Sequence, residues 1–329
     1  MTPRRAKIAA VGTCVPERVV TNDDLSLTLD TSDEWISTRS GIRRRHIAAD
    51  GQAASDLGSV AASRALAAAG VSPAELDLII ATSISSDMPF PATASLISGN
   101  IGADGVPAFD LSAACTGFVY ALAAANAFIA SGQAAKVLVI GAEAVSKMID
   151  WTDRSTAVLF GDAAGAVLLA PVAEGETGII GFDLGNDPGG AGQLSIPAGG
   201  SRLPASAETV QERQHFIKMN GREVFKFATR VLASSAGKVL DQHGFRVEDV
   251  DLFIPHQANI RIIDAAARKL GLAPEKVFSN LENYGNTSCA SIPLCLDEAA
   301  RAGRLKAGDL VLMVGFGGGL SWGSCLARW

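Results

Sequence analysis

The segment Phe109-Asp-Leu-Ser-Ala-Ala-Cys115-Thr-Gly-Phe118 decides the fold, because it joins a strand to a buried helix. Residues 106–111 have the pattern of a strand, and residues 116–130 are apolar on nearly every face, which is typical of a fully buried helix. A cysteine at the start of such a helix meets free backbone N–H groups and the positive end of the helix dipole, and both favour the thiolate. Cys115 is therefore a candidate nucleophile, with a packed core thiol as the alternative.

The composition bounds the class of protein. The chain has 329 residues, of which 48% are hydrophobic and 19% charged, and this length allows two domains with a large core. A formal net charge of −6 argues against general nucleic-acid binding. The five cysteines form no CxxC pair, so we expect neither a metal site nor a disulfide framework, and a cytoplasmic location. No apolar run is long enough to span a membrane, so no membrane partner is expected.

A repeat at an offset of 174 residues indicates internal duplication. Residues 75–80 match residues 249–254, residues 136–141 match residues 310–315, and Cys115 falls on Cys289. Each half has the order helix, strand, helix, strand, which predicts an α/β protein with parallel strand pairing and two stacked sheets. The predicted halves are residues 1–174 and 175–329. The Gly-rich residues 185–200 are predicted to form a surface loop near their junction.

His256 and Asn286 complete a candidate site. His256 follows a predicted strand and precedes a predicted helix at residues 260–270, and parallel α/β sheets bind ligands at the carboxyl ends of strands. Asn286 lies just before Cys289, so the duplication places it near Cys115, where the starts of the two central helices meet. A satisfied core histidine and an asparagine in a turn or cap are the structural alternatives. The occurrence of Cys115, His256 and Asn286 together favours a catalytic site over these structural alternatives.

Two enzyme classes use this trio. A papain-type cysteine hydrolase has its histidine about 130–150 residues after the cysteine, and the separation of 141 residues here allows that class. Its Cys-Gly-Ser/Ala-Cys-Trp/Tyr signature is absent, however, and the duplication does not suit that fold. The other class joins acyl groups on a cysteine, and neutral His256 with the Asn286 amide would stabilise the enolate formed when a malonyl thioester loses CO2. A non-catalytic acyl-binding protein accords poorly with an intact trio.

Motifs along nearly the whole chain carry a resemblance to a known family. They are Thr31-Ser-Asp-Glu-Trp35-Ile, Gly41-Ile-Arg43-Arg-Arg-His46-Ile, Asp153-Arg154, Phe160-Gly-Asp162, Pro255-His-Gln-Ala-Asn259-Ile-Arg261, Gly285-Asn-Thr-Ser288 and Phe316-Gly-Gly-Gly319-Leu-Ser-Trp-Gly-Ser324. The chain resembles beta-ketoacyl-[acyl-carrier-protein] synthase III, the initiating condensing enzymes of type II fatty-acid synthesis. The resemblance implies a thiolase-like fold with α-β-α-β-α layers and buried central helices. It also implies that Cys115 is the nucleophile and that His256 and Asn286 stabilise the decarboxylation transition state.

The same resemblance assigns the remaining substrate sites. The backbone N–H groups of Cys115 and Gly318 would form the oxyanion hole. Trp35 and Arg154 would hold the adenine of coenzyme A, with Arg39 near its phosphates. Gly221 and Asn259 would line the pantetheine tunnel. The acyl pocket would contain Phe316 and Phe90, and the residue at the position of Phe90 crosses a dimer interface in relatives. The acyl carrier protein would dock on Gln257, Arg261, Arg268, Lys269 and Lys226.

These assignments lead to one expected reaction. We expect a homodimer that condenses a short acyl-CoA primer, acetyl-CoA being favoured by the bulk of Phe90, with malonyl-[acyl-carrier-protein]. No cofactor is expected beyond the coenzyme A thioester substrate. A specialised starter synthase of a polyketide or other secondary-metabolite pathway is the alternative within the fold. Two positions depart from the family pattern, since Cys289 replaces a small alanine and Arg222 replaces an asparagine.

Overall fold

Two sheets form the frame of the molecule in the computed structural model, which describes residues 5–173 and 178–329. The predicted boundary between the halves, at residues 174 and 175, lies outside the described residues and stays a prediction. The strands are β1 (Ala6–Cys14), β2 (Arg18–Thr21), β3 (Arg44–Ile47), β4 (Leu78–Thr82), β5 (Ala108–Asp110), β6 (Val137–Glu143), β7 (Ala163–Pro171), β8 (Ile179–Asn186), β9 (Leu194–Ser195), β10 (Lys218–Met219), β11 (Leu252–Pro255), β12 (Leu310–Gly317) and β13 (Ser321–Arg328). The α-helices are α1 (Asn22–Ser26), α2 (Asp33–Ser40), α3 (Ala54–Ala69), α4 (Thr93–Ile101), α5 (Gly117–Ala130), α6 (Arg154–Ala157), α7 (Ala207–Gln211), α8 (Gly221–Gln242), α9 (Ile260–Leu270), α10 (Leu281–Tyr284) and α11 (Ser291–Arg301). Within the described ranges, no helix is both long and apolar enough to cross a bilayer.

The strand order shows where the predicted parallel pairing holds. The first large sheet has the order β1-β7-β6-β4-β5, and the second has the order β11-β12-β13-β8. Strands joined through helices pair in parallel, β4 with β5 and β6, and β11 with β12. β7 and β13 run antiparallel to both of their neighbours. Residues 318–320 alone join β12 to β13, and so short a connection can link only antiparallel strands.

The duplication is visible in the strand register and in the turns before the central helices. The parallel pairing of Leu78 with Val137 recurs 174 residues later as that of Leu252 with Val311. A short 3-10 turn precedes α5 and another precedes α11, and their first residues share a left-handed backbone with φ of 48° and 49°. These residues are again 174 positions apart, so the candidate nucleophile and its counterpart occupy the same place in two copies of one turn.

A glycine of each sheet faces the turn of the other half. A Cβ atom at Gly141 in β6 would lie 2.6 Å from the carbonyl oxygen of Cys289, and a Cβ atom at Gly315 in β12 would lie 3.6 Å from that of Cys115. The first distance is shorter than any side chain tolerates, and the second is van der Waals contact. The absence of a side chain is therefore required at Gly141, whereas at Gly315 a Cβ atom would just touch the turn of Cys115.

The central helices form the middle layer of the fold. Phe118 and Leu122 of α5 and Ile292 and Leu296 of α11 share one core cluster with apolar residues of both sheets. Helices α3 and α4 cover the outer face of the first sheet, and α8 and α9 cover that of the second. Each buried side chain of this size stabilises the fold by about 1.5–3 kcal/mol. The predicted α-β-α-β-α architecture with buried central helices is confirmed.

The Gly-rich stretch at residues 185–200 differs from the predicted surface loop. Its first two residues end β8, and Leu194–Ser195 forms β9, which pairs antiparallel with β10. The Leu194 side chain packs against two core clusters, which provides the physical reason for an ordered strand there. This segment reaches the central cavity and forms part of its wall.

Candidate active site

One cavity of about 430 Å³ lies where the two central turns meet. Cys115, His256 and Asn286 all line it, so the structure brings together the three residues that the sequence singled out. Four further predicted residues share the wall, namely Gly318, Phe316, Gly221 and Asn259. Among the described residues that line the cavity, none has a charged side chain. An uncharged, mostly apolar wall strengthens any hydrogen bond made to a developing negative charge.

Cys115 lies in the 3-10 turn directly before α5, against the end of β12. A Cβ atom at Gly317 would lie 2.7 Å from the backbone nitrogen of Cys115, so only glycine allows this approach. The next residue, Gly318, lines the same cavity. The predicted oxyanion-hole residues therefore lie on one wall, because β12 can pack closely against the turn.

Burial controls the ionisation of the Cys115 thiol. Removal from water raises the pKa of Cys115 to about 12, the Ser288 hydroxyl lowers this pKa, and the charge of Glu143 raises it again. Burial therefore acts against the thiolate, whereas the helix start acts for it. The expectation that the helix start activates Cys115 stays a prediction.

His256 is held as a neutral imidazole at the end of β11. Its backbone N–H donates to Val314 O over 2.7 Å, and its Nδ1 lies 2.7 Å from Ser291 Oγ. The Phe316 ring packs against it in an edge-to-face arrangement, with ring centroids 5.4 Å apart. Burial lowers the pKa of His256 to about 3, so the ring is neutral at pH 7. When the Ser291 hydroxyl donates to Nδ1, the ring proton is on Nε2, which becomes a hydrogen-bond donor.

Asn286 follows a turn that only glycine can form. Gly285 has a φ of 65°, and a Cβ atom there would lie 2.7 Å from Leu159 O. The backbone N–H of Asn286 donates to Leu159 O over 2.8 Å, which fixes the main chain. Its side-chain Oδ1 accepts a hydrogen bond from the N–H of Ser288 over 2.8 Å. This contact engages Oδ1 and leaves Nδ2 as the donor group of a side chain that lines the cavity.

Replacing Ser291 with alanine tests the histidine arrangement. Loss of the hydroxyl leaves Nδ1 without its partner, so the ring no longer holds its proton on Nε2 by preference. We expect malonyl-CoA decarboxylation to fall about tenfold, the equivalent of one hydrogen bond, while acylation of Cys115 is unchanged. Ser98→Ala is the matched control, because Ser98 is also a buried helical serine but bonds Ala103 O away from the cavity. Equal losses in both variants would contradict the assignment.

The residues predicted to hold the adenine and phosphates of coenzyme A lie together at the surface. The guanidinium carbons of Arg39 and Arg154 lie 4.6 and 4.7 Å from the ring centroid of Trp35. Asn259 of the cavity wall donates from Nδ2 to Arg39 O over 3.0 Å. That hydrogen bond connects α2, which carries Trp35, to the start of α9 and hence to the cavity.

The other predicted residues divide into exposed and buried positions. Phe90 is 83% exposed, and it does not line the cavity of its own chain. The basic residues Arg261, Arg268, Lys269 and Lys226 are exposed. Gln257 does not share that surface, because it is 1% exposed and its amide is engaged inside the protein. Its Nε2 donates to Pro255 O and its Oε1 accepts from Ser279 Oγ, both over 2.7 Å.

Sequence reasoning missed one buried acid and much of the cavity wall. Ser83 and Ile84, which follow β4, line the cavity, as do residues of β9 and β10. Behind them Glu143 ends β6, and its carboxylate accepts hydrogen bonds from the N–H of Ile84 and the hydroxyl of Ser83. The signal in the sequence is an acidic residue at the end of the otherwise apolar strand Val137–Glu143.

Comparisons with known proteins agree with this geometry. The family model for 3-Oxoacyl-[acyl-carrier-protein (ACP)] synthase III matches residues 109–188, and the model for its C-terminal part matches residues 240–329. The chain is 53% identical over 326 residues to Beta-ketoacyl-[acyl-carrier-protein] synthase III from Natranaerobius thermophilus, covering 98% of this chain and 99% of the relative.

Solved structures give the same result. The crystal structure of 3-oxoacyl-[acyl-carrier-protein] synthase III from Aquifex aeolicus is 46% identical, with a TM-score of 0.91 over 98% of this chain and 100% of that one. The priming beta-ketosynthase of the R1128 polyketide biosynthetic pathway is 36% identical, with a TM-score of 0.91 over 100% of this chain and 98% of that one. From its fold, its cavity and these similarities, the chain belongs to the 3-oxoacyl-[acyl-carrier-protein] synthase III family.

Proposed function

We propose that this chain condenses a short acyl-CoA primer, acetyl-CoA first among them, with malonyl-[acyl-carrier-protein]. The products are a 3-oxoacyl-[acyl-carrier-protein], CO2 and coenzyme A, and the reaction initiates fatty-acid synthesis. One observation carries the proposal, namely that Cys115, a neutral His256 and an oriented Asn286 amide line a single uncharged cavity. A nucleophile beside two neutral donors suits acyl transfer followed by stabilisation of an enolate.

The first half-reaction transfers the primer to Cys115. The thiolate sulfur attacks the thioester carbonyl carbon, and the carbonyl oxygen becomes an oxyanion that the N–H groups of Cys115 and Gly318 would bind. The tetrahedral intermediate collapses with breakage of the bond to the coenzyme A sulfur. An acyl-Cys115 intermediate remains. Coenzyme A leaves as a thiol, and the proton that it takes up balances the one that the Cys115 thiol loses when it becomes the thiolate.

The second half-reaction uses His256 and Asn286. The malonyl thioester loses CO2, and its carbonyl oxygen becomes an enolate oxygen that Nε2–H of His256 and Nδ2–H of Asn286 would stabilise. The enolate carbon attacks the acyl-Cys115 carbonyl, and the Cys115 thiolate leaves. Because the His256 pKa is far below neutrality, the ring acts as a hydrogen-bond donor and not as a charged acid.

Product analysis tests the proposed reaction against its alternative from a different class. Acetyl-CoA and malonyl-[acyl-carrier-protein] should give a β-keto thioester together with CO2. A cysteine hydrolase would give a free acid from either thioester and no carbon–carbon bond. Mass spectrometry of the carrier-bound product distinguishes the two, and free acetate as the main product would overturn the proposal.

A specialised starter synthase remains the second candidate, because a 36% identical structure is the priming beta-ketosynthase of a polyketide pathway. The two candidates differ in primer and carrier, not in the chemistry at Cys115. A panel of straight and branched acyl-CoA primers with the fatty-acid carrier separates them. Turnover with acetyl-CoA and that carrier supports fatty-acid initiation, whereas activity restricted to longer or branched primers supports the starter synthase.

We also propose that α9 docks the acidic acyl carrier protein. Arg261, Arg268 and Lys269 are exposed on one face of α9, and Lys226 is exposed on the neighbouring α8. The net charge of −6 makes a local basic patch necessary for an acidic partner. Gln257 is left out of this surface because it is buried.

Charge reversal on α9 should weaken carrier binding selectively. We expect Arg268→Glu with Lys269→Glu to raise KM for malonyl-[acyl-carrier-protein] about tenfold or more, and to leave malonyl-CoA decarboxylation unchanged, because free malonyl-CoA does not need the docking surface. The effect should shrink as salt rises. Arg246→Glu with Lys306→Glu is a control of equal charge change on other exposed positions. An equal rise in KM there would indicate net charge, not docking.

We propose a cytoplasmic homodimer that needs no metal or redox cofactor. Phe90 is exposed on the segment before α4, and β5 is the edge strand of the first sheet, which leaves an apolar side chain and strand hydrogen-bonding groups available to a second copy. The neutral donors of the cavity support chemistry without a metal. Analytical ultracentrifugation of Phe90→Asp against the unmodified chain tests the dimer.

A further inference from the structure

We propose that the side-chain amide of Gln257 sets the separation between His256 and Asn286, so that both can donate to one enolate oxygen. The inference rests on the proposed function, because it concerns the two donors of the second half-reaction. Gln257 is a positioning residue in this assignment, since it acts through its neighbours and does not touch the substrate. Its burial leaves no surface for a carrier protein, so its amide needs another explanation.

The amide of Gln257 is engaged at both of its polar atoms. Nε2 donates to Pro255 O over 2.7 Å and lies 3.5 Å from Phe278 O. Oε1 accepts from Ser279 Oγ over 2.7 Å and from Asn280 N–H over 3.2 Å. Two carbonyl oxygens face the nitrogen and two donors face the oxygen, so the amide fits in one orientation. It therefore joins the end of β11 to the segment at residues 278–280.

This connection continues a pairing that begins further back in β11. Phe253 forms a parallel bridge with Val277, and Phe278 N–H donates to Phe253 O over 2.9 Å. These main-chain contacts are at the level of Phe253, inside the strand. The glutamine amide carries the connection beyond the end of the strand, to the residue directly after His256. It therefore fixes the segment at the place where the histidine enters the cavity.

The segment that carries Asn286 is attached at both of its ends. At one end, Asn280 N–H donates to Oε1 of Gln257 over 3.2 Å. At the other end, Ser291 Oγ lies 2.7 Å from Nδ1 of His256. Both ends are thus bound to two consecutive residues, His256 and Gln257. The position of Asn286 relative to the histidine ring therefore depends on both hydrogen bonds.

Helix α11 holds the same segment from the opposite side. Glu298 Oε2 accepts from Asn280 Nδ2 over 2.9 Å, and Cys295 Sγ donates to Asn280 Oδ1 over 3.1 Å. Asn280 thus has its backbone on Gln257 and its side chain on α11, and it is buried. A buried group with all of these partners has few alternative positions, because any shift leaves a polar atom unsatisfied.

These contacts close a ring of hydrogen bonds around the donor pair. The ring runs from His256 along the chain to Gln257, across to Asn280, through Glu298 into α11, and back to His256 from Ser291 at the start of that helix. Gln257 is the member that joins the histidine strand to the asparagine segment. Its loss opens the ring, and the two donors can then move relative to each other.

The reaction makes the separation of the two donors critical. One enolate oxygen must lie about 2.7–3.2 Å from both Nε2 of His256 and Nδ2 of Asn286. A displacement of about 1 Å breaks one of these hydrogen bonds and can lower the rate about 10²-fold. Acylation of Cys115 does not use either donor. A residue that sets their separation should therefore affect decarboxylation and not acylation.

The main test replaces Gln257 with methionine, which keeps the length of the side chain and removes its amide. We expect kcat for malonyl-CoA decarboxylation to fall about 10²-fold, while KM for malonyl-CoA changes by less than about twofold. The rate of Cys115 acylation by radiolabelled acetyl-CoA should stay within about twofold of wild type. Release of labelled CO2 and rapid-quench labelling measure the two half-reactions separately.

Ser279 provides a milder test that does not disturb the core. Its side chain is exposed, it does not line the cavity, and it supplies one of the two donors to Oε1 of Gln257. We expect Ser279→Ala to lower kcat for decarboxylation about fivefold, the equivalent of one hydrogen bond, and Ser279→Thr to restore it. Ser131→Ala is the matched control, because Ser131 is an exposed serine that bonds Phe128 O outside the ring.

A double variant tests whether Gln257 acts through the donor pair. In Asn286→Ala one donor is absent, so the separation of the two donors no longer matters. We expect Gln257→Met added to Asn286→Ala to slow decarboxylation little beyond Asn286→Ala itself. Losses that multiply in the double variant would overturn the positioning role, because they would show an effect independent of Asn286.

The remaining outcomes separate this inference from docking, from general damage and from the proposed function. A raised KM for malonyl-[acyl-carrier-protein] with normal malonyl-CoA decarboxylation would overturn positioning in favour of docking. Equal losses of acylation and decarboxylation in Gln257→Met, with no effect of Ser279→Ala, would overturn it in favour of a structural role. If the wild-type chain forms no acyl-Cys115 intermediate and releases no CO2 from malonyl-CoA, the proposed function fails, and this inference fails with it.

Discussion

Replacing Cys115 with alanine is expected to abolish covalent labelling by radiolabelled acetyl-CoA and to lower condensation by at least about 10⁴-fold, as loss of a catalytic nucleophile does elsewhere. The physical reason is that Cys115 is the one thiol among the described residues that line the cavity, beside Gly317 and Gly318. Gel filtration followed by scintillation counting measures the label, and peptide mass spectrometry locates it.

Cys289→Ala is the matched control for this experiment, because it removes a thiol from the equivalent position of the other half. Cys289 does not line the cavity, so this variant should still be labelled at Cys115. Labelling of Cys115→Ala at wild-type level would refute the nucleophile assignment. Loss of label in both variants would point to a shared structural defect, which far-ultraviolet circular dichroism detects.

The second large effect concerns His256 and Asn286. We expect His256→Ala and Asn286→Ala each to lower malonyl-CoA decarboxylation about 10²–10³-fold while Cys115 is still acylated. Each substitution removes one of two donors aimed at the enolate oxygen, and neither removes the nucleophile. Release of CO2 from labelled malonyl-CoA provides the measurement, with acetyl labelling of the same sample as the internal reference.

The wild-type pH profile supplies an independent check on His256. With its pKa at about 3, the ring stays neutral from pH 5 to pH 8, so decarboxylation should be nearly flat across that interval. A rise or fall centred near pH 6.5 would mean that the ring titrates like an exposed histidine, contrary to its burial. Normal decarboxylation in both alanine variants would likewise contradict the donor assignment.

The sequence specified the fold through its repeat. Residues 174 positions apart have the same strand pairing and the same left-handed turn, so an offset read from three short matches was enough to place Asn286 near Cys115. Strand direction was only partly predictable. The helix–strand alternation indicates parallel pairing, but β7 and β13 are antiparallel to their neighbours. Only three residues separate β13 from β12, whereas β7 follows β6 after residues 144–162, and the pattern predicted neither direction.

The ionisation and burial of the site residues were less predictable from the sequence than the identity of the residues that form the site. The ionisation of Cys115 depends on how completely the cavity excludes water, and that is a property of packing between distant segments. The burial of Gln257 was not predictable for the same reason. It belongs to a motif that includes exposed residues, but its amide forms hydrogen bonds inside the protein. The role of Glu143 was not predicted, because its donors come from two distant parts of the chain, residues 83–85 and Cys289.

The two glycines that face the opposite turns have a consequence for how this enzyme can be taken apart. Gly141 of the first half contacts Cys289 of the second, and Gly315 of the second half contacts Cys115 of the first. The sheet of each half therefore supports the turn of the other half. Cys115 comes from the first half, whereas His256 and Asn286 come from the second. Neither half produced as a separate polypeptide would contain a working centre, and activity would return only when the two fragments reassociate.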